Sequence, residues 1–171
     1  MPEKLSNLLD TLNKGEKLLK DVDFYGPSGW VLLSEQNAFY TDSVSDKLKE
    51  ALKKANQKGE AIKCIALGEK NSGIIVYSKN SFFDDVAPED LKMKLNDLKY
   101  RNQSVKNVAI SPTGAWVILY GAKGLAYSGI PNELSSKLKE LTKTCSSLDK
   151  VFFLEDKWMV VYDYYKYTGN F

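Results

Sequence analysis

Residue classes return at one fixed offset of 43 positions along almost the whole of this 171-residue chain. Leu5, Leu48, Leu91 and Leu134 are one such set, and Leu9, Leu52, Leu95 and Leu138 are another. The same step links Leu19, Ile62, Val105 and Leu148; Val22, Ile65, Val108 and Val151; and Phe24, Leu67, Ile110 and Phe153. It continues through Val31, Ile74, Val117 and Val160. Chance similarity does not hold one register through three successive steps without an insertion. The chain therefore reads as four tandem copies of one unit, about 2–44, 45–87, 88–130 and 131–171, within a single domain.

Each copy opens with a helix signal. Pro2, Pro88 and Pro131 share a register position that Ser45 takes in the second copy, and proline suits the first helical residue because its missing N–H has no partner there. Glu89 and Asp90 follow Pro88, where negative charge complements the positive end of the helix dipole. Leu134, Leu138 and Leu141 recur at helical spacing, so Lys137, Lys139 and Glu140 read as a solvated face. A β-branched strand comes next, such as Val105–Ile110, then turns at Gly26-Pro-Ser-Gly29, Asn71-Ser-Gly73 and Ser111-Pro-Thr-Gly114. The second strand is apolar on both faces, as in Trp30–Leu33, Ile74–Tyr77, Trp116–Tyr120 and Trp158–Tyr162, which is expected of strands covered on both sides. A short third strand is expected at Phe39-Tyr40, Phe82-Phe83 and Leu125–Tyr127, the last after a hairpin turn at Gly121-Ala-Lys-Gly124.

Read from its second strand the unit runs β-β-α-β, an α/β repeat that can assemble in two ways. Four units can close into a propeller-like ring with strands inside and helices outside, leaving no long sheet edge. Alternatively, the strands make a single open mixed sheet with four helices on one face. The second arrangement would leave Trp30, Leu32, Ile75, Ile118 and Val161 bare unless a dimer hid them, so the ring is the favoured expectation. The β-β-α-β order resembles the topology of the α/β-propellers called penteins. Penteins have five units, and the catalytic ones use a Cys, a His and acidic groups. This chain has no histidine, so the resemblance implies a non-catalytic relative that docks onto a large partner.

The missing histidine also removes the commonest general base, the Ser/His and Cys/His nucleophile pairs and most zinc sites, so neither a cofactor nor a metal is expected. Arg101 is the single arginine and the net charge is +2, which speaks against nucleic-acid recognition and an anionic membrane surface. Cys64 and Cys145 stand 81 residues apart and read as core thiols. The sequence lacks a transmembrane run and a signal-peptide pattern, so a soluble and by default cytoplasmic protein is expected.

Three groups of residues are candidates for binding. Trp30 and Trp116 share a register that Gly73 and Met159 fill elsewhere, with Trp158 one position off; such tryptophans serve core packing or a stacking platform. The segment Tyr162-Asp-Tyr-Tyr-Lys-Tyr167 carries four tyrosines, Tyr162, Tyr164, Tyr165 and Tyr167, typical either of an adaptable binding surface or of a terminal strand completing its sheet. The loops before the helices pair Tyr40, Phe83 and Tyr127 with small polar groups, which suit a sugar or an anion, while Ser43 and Asp85 also suit helix capping. Asp84 and Asp85 lack the alternating ligands of a calcium loop.

The leading expectation is a non-catalytic repeat scaffold that binds a protein partner, monomeric if a ring closes and dimeric if the sheet is open. A lectin-like module binding glycans through Tyr40 and Tyr127 is the alternative, and a carboxylate-dependent hydrolase the third.

Overall fold

The computed structural model describes residues 3–25, 28–35, 37–68 and 73–170. Within them each copy is one helix followed by three strands. The first holds α1 (Glu3–Lys14), β1 (Leu19–Tyr25), β2 (Gly29–Ser34) and β3 (Ala38–Asp42); the second holds α2 (Asp46–Lys58), β4 (Ile62–Leu67), β5 (Gly73–Tyr77) and β6 (Phe82–Asp85). The third holds α3 (Glu89–Tyr100), β7 (Val105–Ile110), β8 (Trp116–Tyr120) and β9 (Gly124–Ser128). The fourth holds α4 (Asn132–Thr144), β10 (Leu148–Leu154), β11 (Lys157–Tyr162) and β12 (Lys166–Gly169). Leu48 and Leu91 begin like elements and Val108 and Val151 lie in corresponding strands, as the periodicity requires.

The strands of each copy form their own three-stranded antiparallel meander, giving four separate sheets. The single open mixed sheet is therefore not formed. The reason lies on the free edge of each first strand. Every one carries a bulge at the same place in its pairing with the second strand, before Asp21, Cys64, Asn107 and Lys150. Side chains then occupy the neighbouring copy's edge groups. Asp21 accepts the Ile65 N–H at 3.0 Å, Asp23 the Leu67 N–H at 2.7 Å, and Asn107 the Val151 N–H at 3.0 Å. An N–H held by a side chain is not offered to another strand.

Helices α2, α3 and α4 each lie between two sheets. Leu48 and Leu52 of α2 pack with Val31 and Leu33 from one sheet and Ile65 and Ile75 from the next. Leu91 and Leu95 of α3 join Ile74 and Val76 to Val108 and Ile118. Leu134 and Leu138 of α4 join Val117 and Leu119 to Val151 and Val160. Both faces of β2, β5 and β8 are buried, and Leu32, Ile75 and Ile118 are fully enclosed, whereas Met159 and Val161 of β11 are only half-buried. The first helix differs: Leu5 and Leu12 pack against Trp30 and Leu32 of its own sheet, while Leu9 is only partly buried.

Three details differ from what the sequence leads one to expect. Pro88 and Pro131 occupy the residue before the first helical one, not the first helical residue, and the α2 cap is Ser45, whose hydroxyl accepts the Leu48 N–H. Ser43 caps no helix; its backbone is left-handed at φ 50° and its hydroxyl donates to Asp42. The 43-residue register also slips by one in the last hairpin. Val22, Ile65 and Val108 face Leu32, Ile75 and Ile118, but Val151 faces Val160 rather than Val161. The Phe153–Trp158 pair is closed by one residue fewer than Phe24–Trp30 and Ile110–Trp116. Trp158 is thus the structural counterpart of Trp30, Gly73 and Trp116.

Candidate functional site

The slip carries through the rest of the fourth copy and decides what its last turn presents. Between β2 and β3, Asn37 donates to the Glu60 carbonyl at 2.9 Å and accepts the Ile62 N–H at 3.2 Å. Between β5 and β6, Asn80 does the same with the Gln103 carbonyl and the Val105 N–H. Each is a buried clasp that fastens one copy to the start of the next copy's first strand. In the third copy a backbone bond from the Leu148 N–H to Ala122 does this. With the one-residue slip, the fourth copy has Tyr165 at the clasp position. The strand start that a fourth clasp would cover is Leu19, and it is open: Leu19 is 45% exposed and Leu18 73%, against 1% for both Ile62 and Val105.

The turn bearing Tyr165 is held firmly. Asp163 and Tyr164 both adopt left-handed backbone, at φ 47° and 70°, a conformation that costs non-glycine residues energy and needs support. Asp163 supplies it by accepting the Ser146 hydroxyl at 2.6 Å and the N–H groups of Ser146 and Ser147 at 2.7 and 3.3 Å. The Ser146 hydroxyl and N–H, chiefly, bring its carboxyl down to about 2. The Tyr164 N–H donates to Asp149 at 2.6 Å, and Asp149 is paired with Lys106 of the preceding copy at 3.0 Å. Burial works to raise the Asp149 carboxyl, but the donors from Tyr164 and Lys106 outweigh it and hold it below the ordinary range. From this base Tyr164, Tyr165 and Tyr167 project at 83%, 79% and 65% exposure. Tyr162 instead packs with the α4 core, and Trp158 is buried there.

The other candidates are not brought together. Phe83 packs against the α2 cluster and Tyr127 against the α4 cluster, where Lys139 lies 6.0 Å from its ring. Tyr40 pairs across from Leu32 but Tyr127 across from Val117, so the two occupy opposite faces of their sheets. Asp84 and Asp85 also diverge: Asp84 lies 3.8 Å from Lys92, whereas Asp85 accepts the Ser45 hydroxyl at 2.6 Å.

A second cluster, which sequence reasoning missed, lies on the first strands. Asp21, Cys64, Asn107 and Lys150 are each 43 apart; the first three reach the following copy and Lys150 reaches the first. The Val108 N–H meets the Cys64 sulfur, whose thiol burial pushes up to about 12. Lys150 donates to the Asp21 carboxylate and to the Val22 carbonyl, the latter at 2.7 Å, tying the fourth copy to the first. Beside them Asp23 is pushed up to about 7, first by burial, with Asp21 adding to the rise and Lys150 and the Leu67 N–H opposing it. The signal was present as a repeat of polar residues, but Asp, Cys, Asn and Lys share no class.

Comparison with protein-family models, curated proteins and solved structures finds no match.

Proposed function

We propose that the four units close into a propeller-like ring and that the protein is a non-catalytic scaffold which binds a protein partner through its last turn. Closure is supported by the bonds of Lys150 to Asp21 and Val22, which repeat at the 4-to-1 junction what Asp21 and Asn107 do at their own. The observation that carries the binding reading is the rigid turn bearing Tyr164 and Tyr165. Tyrosine adds a large, stiff, amphipathic contact at low entropic cost, and a turn fixed beforehand by Asp163 and Asp149 loses little further freedom on binding. Charges near it are already paired, as in Lys106 with Asp149 and Lys166 with Asp163, so the surface suits a protein rather than a polyanion.

The test places a photo-crosslinking side chain at Tyr165, identifies the protein it captures, and titrates that protein in purified form. The double variant Tyr164→Ser, Tyr165→Ser should bind at least tenfold more weakly with an unchanged melting temperature. Equal affinity would overturn the reading. Ring closure has its own test: a circular permutant joining residue 170 to residue 3 by a short linker, opened between the second and third copies, should fold to wild-type stability.

A further inference from the structure

Residues of the first and fourth copies meet again at the hairpin end of their first strands. There Val22 and Phe24 of β1 face Phe152, Phe153 and Leu154 of β10 and Trp158 and Met159 of β11 around a cleft of about 340 Å³. The cause is legible in the repeat. Phe152 stands where the second and third copies have Ala66 and Ala109, both buried. An alanine lets the next copy's first strand close in, whereas a phenyl ring at that place holds β1 and β10 apart and leaves a gap beyond it. We propose that this cleft is a binding site for a small, uncharged, largely aromatic ligand.

The volume lies within the range of small-molecule sites, at roughly 300–1,000 Å³, and such sites are mainly apolar and aromatic. Every lining side chain is apolar, four of the seven are aromatic, and Met159 offers a polarisable wall suited to ring edges. No lining side chain carries a charge. Lys150, which lies 4.4 Å from the centre of the Phe152 ring, donates to Asp21 and to the Val22 carbonyl. A charged ligand would therefore give up its hydration to a wall of apolar side chains that holds no counter-charge for it. Phe24, Phe152 and Met159 remain only partly buried and Leu154 is 55% exposed at the rim, so apolar surface awaits cover.

The site is remote along the strands from Tyr164 and Tyr165, since β10 runs from the tyrosine turn at Leu148 to the cleft at Leu154. The experiment titrates the protein into the neutral fluorophore N-phenyl-1-naphthylamine and reads its emission. Saturable binding at one probe per chain is expected. Leu154→Asp, which sets a charge at the exposed rim, and Met159→Trp, which fills the cleft, should each weaken binding at least tenfold. Tyr164→Ser, Tyr165→Ser should leave it unchanged. The proposal is overturned if emission rises without saturation, if both cleft variants with wild-type melting temperatures bind as the parent does, or if light scattering shows a dimer whose dissociation is needed for the probe to enter.

Discussion

Replacing Asp23 by asparagine should raise stability at alkaline pH and leave it nearly unchanged at acid pH. Asp23 is enclosed at the junction of β1 with β4, accepts the Leu67 N–H at 2.7 Å, and has Asp21 and Lys150 as charged neighbours. Burial lifts its carboxyl from 3.8 to about 7. An unfolded chain gives up this proton near pH 3.8 while the folded one keeps it to about 7, so the folded state holds more protons throughout that window. Stability therefore falls as pH rises through the window, and the loss is complete above it. About three pH units at about 1.4 kcal/mol each come to about 4 kcal/mol. Asparagine keeps an oxygen for the Leu67 N–H and cannot ionise. Urea denaturation followed by tryptophan fluorescence should show wild-type stability declining from pH 5 to pH 8. The Asp23→Asn curve should be flat there, ahead of wild type by up to about 4 kcal/mol at pH 8, less whatever Lys150 loses with that charge. A wild type without the decline, or a variant that keeps it, would refute the reasoning.

The helix positions Leu52, Leu95 and Leu138 are fully buried, so alanine there should cost about 2–5 kcal/mol each, whereas Leu9→Ala in α1 should cost clearly less; denaturation midpoints of the four variants measure this. Gly73 occupies the position of Trp30 and Trp116, yet a Cβ there would come within 2.5 Å of the Ala66 carbonyl oxygen. Gly73→Trp should thus destabilise the fold despite matching the other copies, and a gain in melting temperature would contradict this. The low carboxyl pKa of Asp163 supports the folded state above about pH 4 and is lost as pH falls towards 2, so Asp163→Asn should remove that part of the acid sensitivity in an acid titration of tyrosine and tryptophan signals.

The periodicity made the units legible because burial repeats: Leu5, Leu48, Leu91 and Leu134 are all fully enclosed on helices. Doubly apolar strands likewise signalled cover on both faces, and the helices supply it for β2, β5 and β8 but not for the Met159 and Val161 face of β11. What escaped was polar and one residue long. Asn37 and Asn80 look like ordinary turn residues until their partners on the next copy are known. The shortened hairpin after Phe153 left the apolar run Trp158–Tyr162 readable in either register, since Val160 and Val161 are interchangeable by class. Trp158 standing one position off was the one trace of it.

Like units packed in series do not share stability evenly, and the structure says where it is lowest. Both α2 and α3 are gripped by two sheets, so opening either one exposes two apolar interfaces at once. For α1 the packing runs through Leu5 and Leu12 to one sheet, and Leu19 beyond it lacks the cover that Ile62 and Val105 receive. Local opening requires the least free energy where the fewest apolar contacts are broken. Amide hydrogen exchange under native conditions should therefore release α1 first and β4 and β7 last. The same ordering is compatible with the proposed partner surface on the fourth copy, since its turn can change from clasp to contact without loosening the buried middle copies. Protection in α1 equal to that in α3 would show that the first helix is held as firmly as the rest and would remove this argument.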